Sequence, residues 1–165
     1  RQIIAIDESA ANKAEDFLGL LRSSVGSLPV RPVSPGDAVE TYLTHWLQST
    51  DLPNPFEFGD EAELRSPQAD GGIIRCKQED LTREDIQAHL AGGKQVTRLG
   101  LVWQENLEFI IESDMALKRV KPTDRLLDAK DDLVDPSPEE KIDADFALVS
   151  AEAGLLFDDL KRAFG

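Results

Sequence analysis

Lysine and arginine recur through short β-patterned runs in the middle of this chain. In Ile73 to Lys77, Arg75 and Lys77 alternate with Ile74 and Cys76. In Gly93 to Gln104, Lys94 and Arg98 accompany Leu99, Leu101 and Trp103, which fall on one face. Lys118, Arg119 and Lys121 follow in Leu117 to Lys121, and Gln78 and Gln95 are polar neighbours of the set. Side chains of a strand point alternately to its two sides, so these runs predict a sheet with one dry and one cationic face. By pattern alone the cations read first as ordinary solvent-facing charges, paired with Glu79, Asp80 or Glu108 across the sheet. The alternative is a basic strip for an anionic partner. A net charge of −14 argues against a free-standing nucleic-acid binder. Salt, however, screens exposed charges beyond about 10 Å, so local field counts for more than the total.

Other chemistry finds little support. Gly71-Gly72 and Gly92-Gly93 lack the lysine-hydroxyl ending of a phosphate loop and the three-glycine dinucleotide spacing, and they read as turns. No His and Cys pair stands at zinc-ligand spacing, and no serine occupies a nucleophile elbow. Asp128, Asp131, Asp132 and Asp135 could in principle hold a divalent metal for phosphodiester hydrolysis, but without interleaved glycine they read as a solvated charge run. His45 reads as a solvent-edge residue beside a core Trp46, and His89 has no ligand partner. Cys76, the single cysteine, excludes an internal disulfide framework, fits a reducing cytosol and reads as a small core residue. No cofactor is implied.

The elements that must hold the cationic runs can be placed in order. Ile3 to Ile6 predicts a buried strand and Ser9 a helix cap. Ala14, Phe17, Leu18, Leu21 and Val25 recur at helical spacing up to Gly26, and Leu28 to Val33 predicts an edge strand interrupted by Pro29 and Pro32. Ser34-Pro35-Gly36-Asp37 has helix-start chemistry, with Val39, Tyr42, Leu43, Trp46 and Leu47 as the apolar stripe. Asp51 to Phe58 reads as a loop. Asp70-Gly71 predicts a hairpin turn, and Thr82 with Asp85 predicts a capped short helix carrying Ile86 and Leu90 inward. Gln95 to Trp103 and Leu107 to Glu112 form a predicted hairpin through Gln104-Glu105-Asn106, followed by a poorly alternating third strand. Thr123 to Leu133 predicts a short acidic helix, and Asp131 to Pro138 a linker. Ile142, Phe146, Val149, Ala153, Leu156 and Leu160 then mark a long helix whose spacing also fits a coiled-coil seam, but with barely three heptads it reads first as a helix lying across the sheet. The fold class is α+β, an antiparallel sheet packed by helices. Three regions are expected: residues 1–35, a strand-helix-strand unit; 36–122, a helix and the sheet; and 123–165, an acidic linker and helix. Arg1 opens on an apolar run without methionine, which suggests a piece cut near the start of a strand. No apolar run approaches the ~20 residues of a membrane span, and no signal peptide is visible.

Several motifs together resemble the RdgC family of recombination-associated proteins. They are Lys13-Ala14-Glu15-Asp16, the run from Leu21-Arg22 to Leu28-Pro29-Val30, Asp60-Glu61-Ala62-Glu63-Leu64 and Gly71-Gly72. Gly93-Lys94-x-Val96-Thr97-Arg98-Leu99-x-Leu101-x-Trp103-Gln104 and Asp143-Ala144-Asp145-Phe146-Ala147-Leu148 complete them. The chain is similar to the C-terminal half of such proteins. The resemblance implies a non-sequence-specific DNA binder whose homodimer forms a ring with a basic hole, encircles duplex and restrains RecA-promoted strand exchange without chemistry. It implies a cytoplasmic, nucleoid-associated protein that binds duplex DNA through Lys and Arg contacts to phosphate, with single-stranded DNA as an open alternative. By position the implied DNA contacts are Arg75, Lys77, Gln78, Lys94, Arg98, Lys118, Arg119 and Lys121, with Lys77, Lys94 and Arg98 foremost. The chain departs from the family pattern at Gln78-Glu79, where further basic residues are expected. Two rivals remain: a protein-interaction module using the acidic C-terminal helix without touching DNA, and a metal-dependent nuclease built on the aspartates.

Overall fold

The computed structural model describes residues 3–8, 10–68, 71–128 and 137–165, in two compact units. Ser9, Asp70 and the run through Asp131, Asp132 and Asp135 lie outside the described residues, as does the side chain of Asp128.

The first unit, Arg1–Ser34, contains one helix, α1 (Ala11–Val25). Ala10 occupies the cap position, its N–H donating to Glu8 Oε1 at 2.8 Å, and Gly26 leaves the helix at φ 81°. That left-handed backbone is open to glycine without the Cβ penalty other residues carry. Ile3 to Ile6 and Leu28 to Val33 are not strands. A strand is stable only when its N–H and C=O groups find a ladder, and neither run has one among the described residues. Pro29 and Pro32 also lack the donors a ladder needs. No residue of α1 is buried within the structure, and Phe17, Leu20 and Val25 are exposed.

The second unit, Pro35–Gly165, is built on a five-stranded antiparallel sheet. Its strands are β1 (Phe56–Arg65), β2 (Ile73–Lys77), β3 (Gln95–Trp103), β4 (Leu107–Glu112) and β5 (Leu117–Pro122), in spatial order β2-β1-β3-β4-β5. Strand β1 starts earlier than its composition suggests: Phe56, Glu57 and Phe58 pair with Trp103, Val102 and Leu101. The turn between β3 and β4 places Gln104 and Glu105 at φ 51° and 56°, the backbone twist that a tight hairpin requires.

One face of the sheet is dry. Ala62, Leu64, Val96, Leu99, Leu101, Trp103, Leu107, Phe109 and Ile111 are buried there by residues of α2 (Val39–Ser49), α3 (Glu84–Ala91) and α5 (Pro138–Ala163). Helix α2 contributes Val39, Leu43, Trp46 and Leu47; it begins at Val39 because Gly36 and Asp37 form a bend, so the Ser-Pro signal lies upstream of the helix it predicts. Helix α3 contributes Ile86 and Leu90. Thr82 does not cap it, since its N–H and hydroxyl both donate to Asp80 Oδ1 at 2.9 and 2.7 Å in the preceding turn. Helix α4 (Asp124–Asp128) is the described part of the predicted acidic helix.

The C-terminal half of α5 lies on the sheet through Leu156 and Leu160, while Ile142, Phe146 and Val149 on its N-terminal half stay exposed. A polar anchor fixes the docked half. Buried Asp159 accepts from Trp103 Nε1 at 2.8 Å and Gln104 Nε2 at 3.3 Å, and pairs with Arg162. Just past the helix, Phe164 packs its ring against Trp46 at 4.8 Å and Tyr42 at 5.2 Å. Burying an indole and a carboxylate is favourable only when their polar atoms meet, and here each satisfies the other.

Candidate nucleic-acid interface

The other face of the sheet, opposite the core residues of α2, α3 and α5, is built by the same alternation. Strand register sets Arg75 of β2 beside Glu63 of β1, Glu63 beside Arg98 of β3, and Arg98 beside Glu112 of β4. Sign therefore alternates across four strands. At the end of this row Lys118 of β5 lies 3.9 Å from Glu112. A neighbouring row runs Lys77, Glu61, Gly100, Ile110, and a third pairs Glu108 with Lys121 at 2.8 Å.

Glu63 is the anchor of this surface. Only 4% exposed, it accepts from Arg65 Nε and Arg75 Nε, each at 2.7 Å, and from Thr97 Oγ1 at 3.1 Å. Burial pushes its carboxyl upward, but the hydrogen bonds from Arg75, Arg65 and Thr97 outweigh this and bring its pKa down to about 2. Thr97 can reach it because the β1–β3 register shifts between Glu63 and Leu64.

Arg119 spans the sheet to Glu61. Its Nη1 and Nη2 donate to the two carboxylate oxygens of Glu61 at 2.9 and 2.5 Å, from β5 to β1 across β3 and β4. The backbone of Arg119 lies at φ 52°, inside the β4–β5 register shift between Glu108 and Ile110. That irregularity explains why Lys118, Arg119 and Lys121 alternate poorly in sequence yet all reach the open face. Arg119's hydrogen bonds are the chief cause that holds the Glu61 carboxyl below its ordinary range, with Lys77 and Arg98 adding to the pull. Gly100 permits the close approach of β3 to β1 at Glu61: a Cβ there would lie 3.0 Å from the Glu61 carbonyl oxygen.

Of the residues expected to meet DNA, Arg75, Lys77, Arg98, Lys118, Arg119 and Lys121 come together on this face. Arg75, Lys77 and Arg98 share a shallow recess with Glu61, Ala62 and Ile110. Arg98 Nε lies 2.9 Å from Glu112 Oε1 but off the line of its N–H, so the pair is held by charge rather than by a directed hydrogen bond. Lys77 is exposed, with neither ion pair nor side-chain hydrogen bond among the described residues. Lys94 stands apart, before β3 begins, its Nζ donating to the Gly72 carbonyl at 2.7 Å. Gln78 lies one residue past β2 at φ 54° and is exposed. Arg65 joins the face unannounced, though Glu61, Glu63 and Arg65 repeat at a period of two and could have been read as one side of a strand. The expected partners Glu79 and Asp80 do not serve the strand cations; Glu79 pairs with Arg83 instead.

Among the described residues no group of three His, Cys, Asp or Glu side chains comes close enough to hold a metal ion. Desolvation raises the Cys76 thiol above its ordinary pKa, which keeps it in the unreactive protonated form. No helix among the described residues is long and apolar enough to cross a membrane.

The family model described as "Putative exonuclease, RdgC" matches residues 1–165. Proteins named recombination-associated protein RdgC are 45% identical in Aeromonas hydrophila subsp. hydrophila, 43% in Shewanella loihica and 42% in Yersinia enterocolitica. Each alignment covers 99% of this chain and 54% of the relative, so the chain spans about half the length of the curated relatives it matches. With the family model matching residues 1–165, this protein belongs to the RdgC family.

Proposed function

We propose that the open sheet face is a phosphate-contacting surface for DNA, read without regard to sequence, and that it works within a homodimeric ring encircling duplex in the nucleoid. The observation that carries this reading is the convergence of cations from the strands on one face, opposite the core residues of α2, α3 and α5: Arg65, Arg75, Lys77, Arg98, Lys118, Arg119 and Lys121. Lysine and arginine bind phosphate oxygens by charge and position a duplex without reading bases. A ring occupied by DNA would restrain RecA-mediated strand exchange by obstruction, with no bond made or broken. The recombination-associated names of the relatives support this role. Lys94 and Gln78, at the sheet's margin, extend the contact.

A second reading is a protein-docking role for α5. It rests on Ile142 and Phe146, 67% and 73% exposed, together with Val149 one turn on.

Fluorescence anisotropy of a labelled random-sequence duplex over a salt series separates the readings. DNA binding predicts a steep fall in affinity with salt. The Lys77→Glu, Lys94→Glu double variant should flatten the log–log slope by about 2, at ~0.9 for each phosphate left without its cation. Salt-insensitive affinity would refute the phosphate reading, and strand cleavage on adding magnesium would refute the absence of chemistry.

A further inference from the structure

Resting on the DNA-binding reading above, we propose that Glu61 is a built-in competitor for phosphate: its carboxylate occupies the guanidinium fork of Arg119 until a DNA phosphate displaces it. A carboxylate and a phosphate present the same pair of acceptor oxygens to a guanidinium, so either satisfies Arg119 in a two-pronged contact. Glu61 stands where the fields of Arg119, Lys77 and Arg98 overlap, on the rim of the recess that Arg75, Lys77 and Arg98 line. It is therefore placed as an anion among cations.

Three further carboxylates of this face, Glu63, Glu112 and Glu108, are not placed to do this. Glu63 is buried and held by three donors from β1, β2 and β3, so releasing it would strand a charge inside the sheet. Glu112 is shared between Arg98 and Lys118 in a strand-to-strand contact, and Glu108 pairs with Lys121 across adjacent strands. Only the Glu61–Arg119 pair, among those described on this face, leaps over two intervening strands. Arg119 is 55% exposed and rises from an irregular, left-handed position, so its direction is set by Glu61 more than by the ladder. Exchanging one oxyanion for another there costs no buried hydrogen bond.

The consequence is a surface whose affinity is tuned below what its cations could give. Such tuning suits a protein that holds DNA irrespective of sequence and must also let it go.

The test compares wild type, Glu61→Gln, Glu61→Asp, Arg119→Gln and the Glu61→Gln, Arg119→Gln double variant against a labelled random duplex over a salt series. Thermal unfolding of each is measured alongside. Glu61→Gln should bind about 3- to 10-fold tighter with a salt slope steeper by about 1, since one further cation is available to phosphate. Glu61→Asp keeps the anion and should stay near wild type. Arg119→Gln should weaken binding in wild type, because the phosphate contact is lost and Glu61 is left as an unpaired anion, and should abolish the gain in the Glu61→Gln background. A latch that serves only the fold would instead lower unfolding temperature and affinity together in Glu61→Gln. Unchanged or weaker binding by a stably folded Glu61→Gln overturns the proposal while leaving the DNA-binding reading intact. Failure of wild type and every variant to bind at low salt overturns both.

Discussion

At the scale of single residues, carboxylates decide how the cationic face behaves. Glu63 is nearly enclosed, yet it remains ionised because Arg65, Arg75 and Thr97 hydrogen-bond to it, with Arg98 opposite on β3. Its folded pKa of about 2 lies below the ordinary 4.5, so the unfolded chain takes up the proton first as pH falls. The resulting stabilisation, about 3 kcal/mol, is present above pH 4.5 and is lost as pH drops toward 2. Urea unfolding across that window should therefore show a falling midpoint. Glu63→Gln should be less stable by about 1–3 kcal/mol at neutral pH and should lose part of that acid dependence, since it has no charge to protonate. These glutamates were only partly legible in sequence. Period-two spacing puts Glu61, Glu63 and Arg65 on one side of a strand, but which cation each meets depends on the register of strands distant in sequence.

At the scale of elements, local rules were most informative where a partner lay close by. The β3–β4 hairpin and the dry face of Leu99, Leu101 and Trp103 followed from alternation and a short connection. The apolar stripe of α2 followed from helical spacing. The same reasoning failed for Ile3 to Ile6 and Leu28 to Val33, where a strand-like pattern has no ladder. It also missed the start of β1, because Pro53 and Pro55 give Asp51 to Phe58 a loop composition while β3 supplies a pairing edge. The spacing of α5 is uniform along its length, but Ile142, Phe146 and Val149 of its first half stay exposed, while Leu148, Leu156 and Leu160 pack on the core. Trp103 and Asp159 mark where docking takes hold. Trp103→Phe keeps most of the buried ring and removes the Nε1 donor. It should cost about 1–3 kcal/mol in chemical unfolding, mainly through the buried carboxylate of Asp159 left short of a partner. DNA affinity should be unchanged, since this anchor lies on the opposite face from the cations.

At the scale of the whole molecule, a chain of net charge −14 presents a cationic face because its acids and bases are distributed unequally. Acid gathers in the sequence from Thr123 onward, while the sheet interleaves its glutamates among a larger number of lysines and arginines. On the proposed DNA-binding reading, a duplex would be drawn to one side of the sheet, the side opposite the core residues of α2, α3 and α5. Lysine acylation footprinting, read by mass spectrometry with and without duplex DNA at low salt, tests that claim most directly. Lys77 and Lys121 lie on the open face, and Lys161 lies near the end of α5 in the helical layer. Several-fold protection of Lys77 and Lys121 by DNA is expected, with modification of Lys161 unchanged. Protection of Lys161 with Lys77 and Lys121 left fully reactive would contradict it.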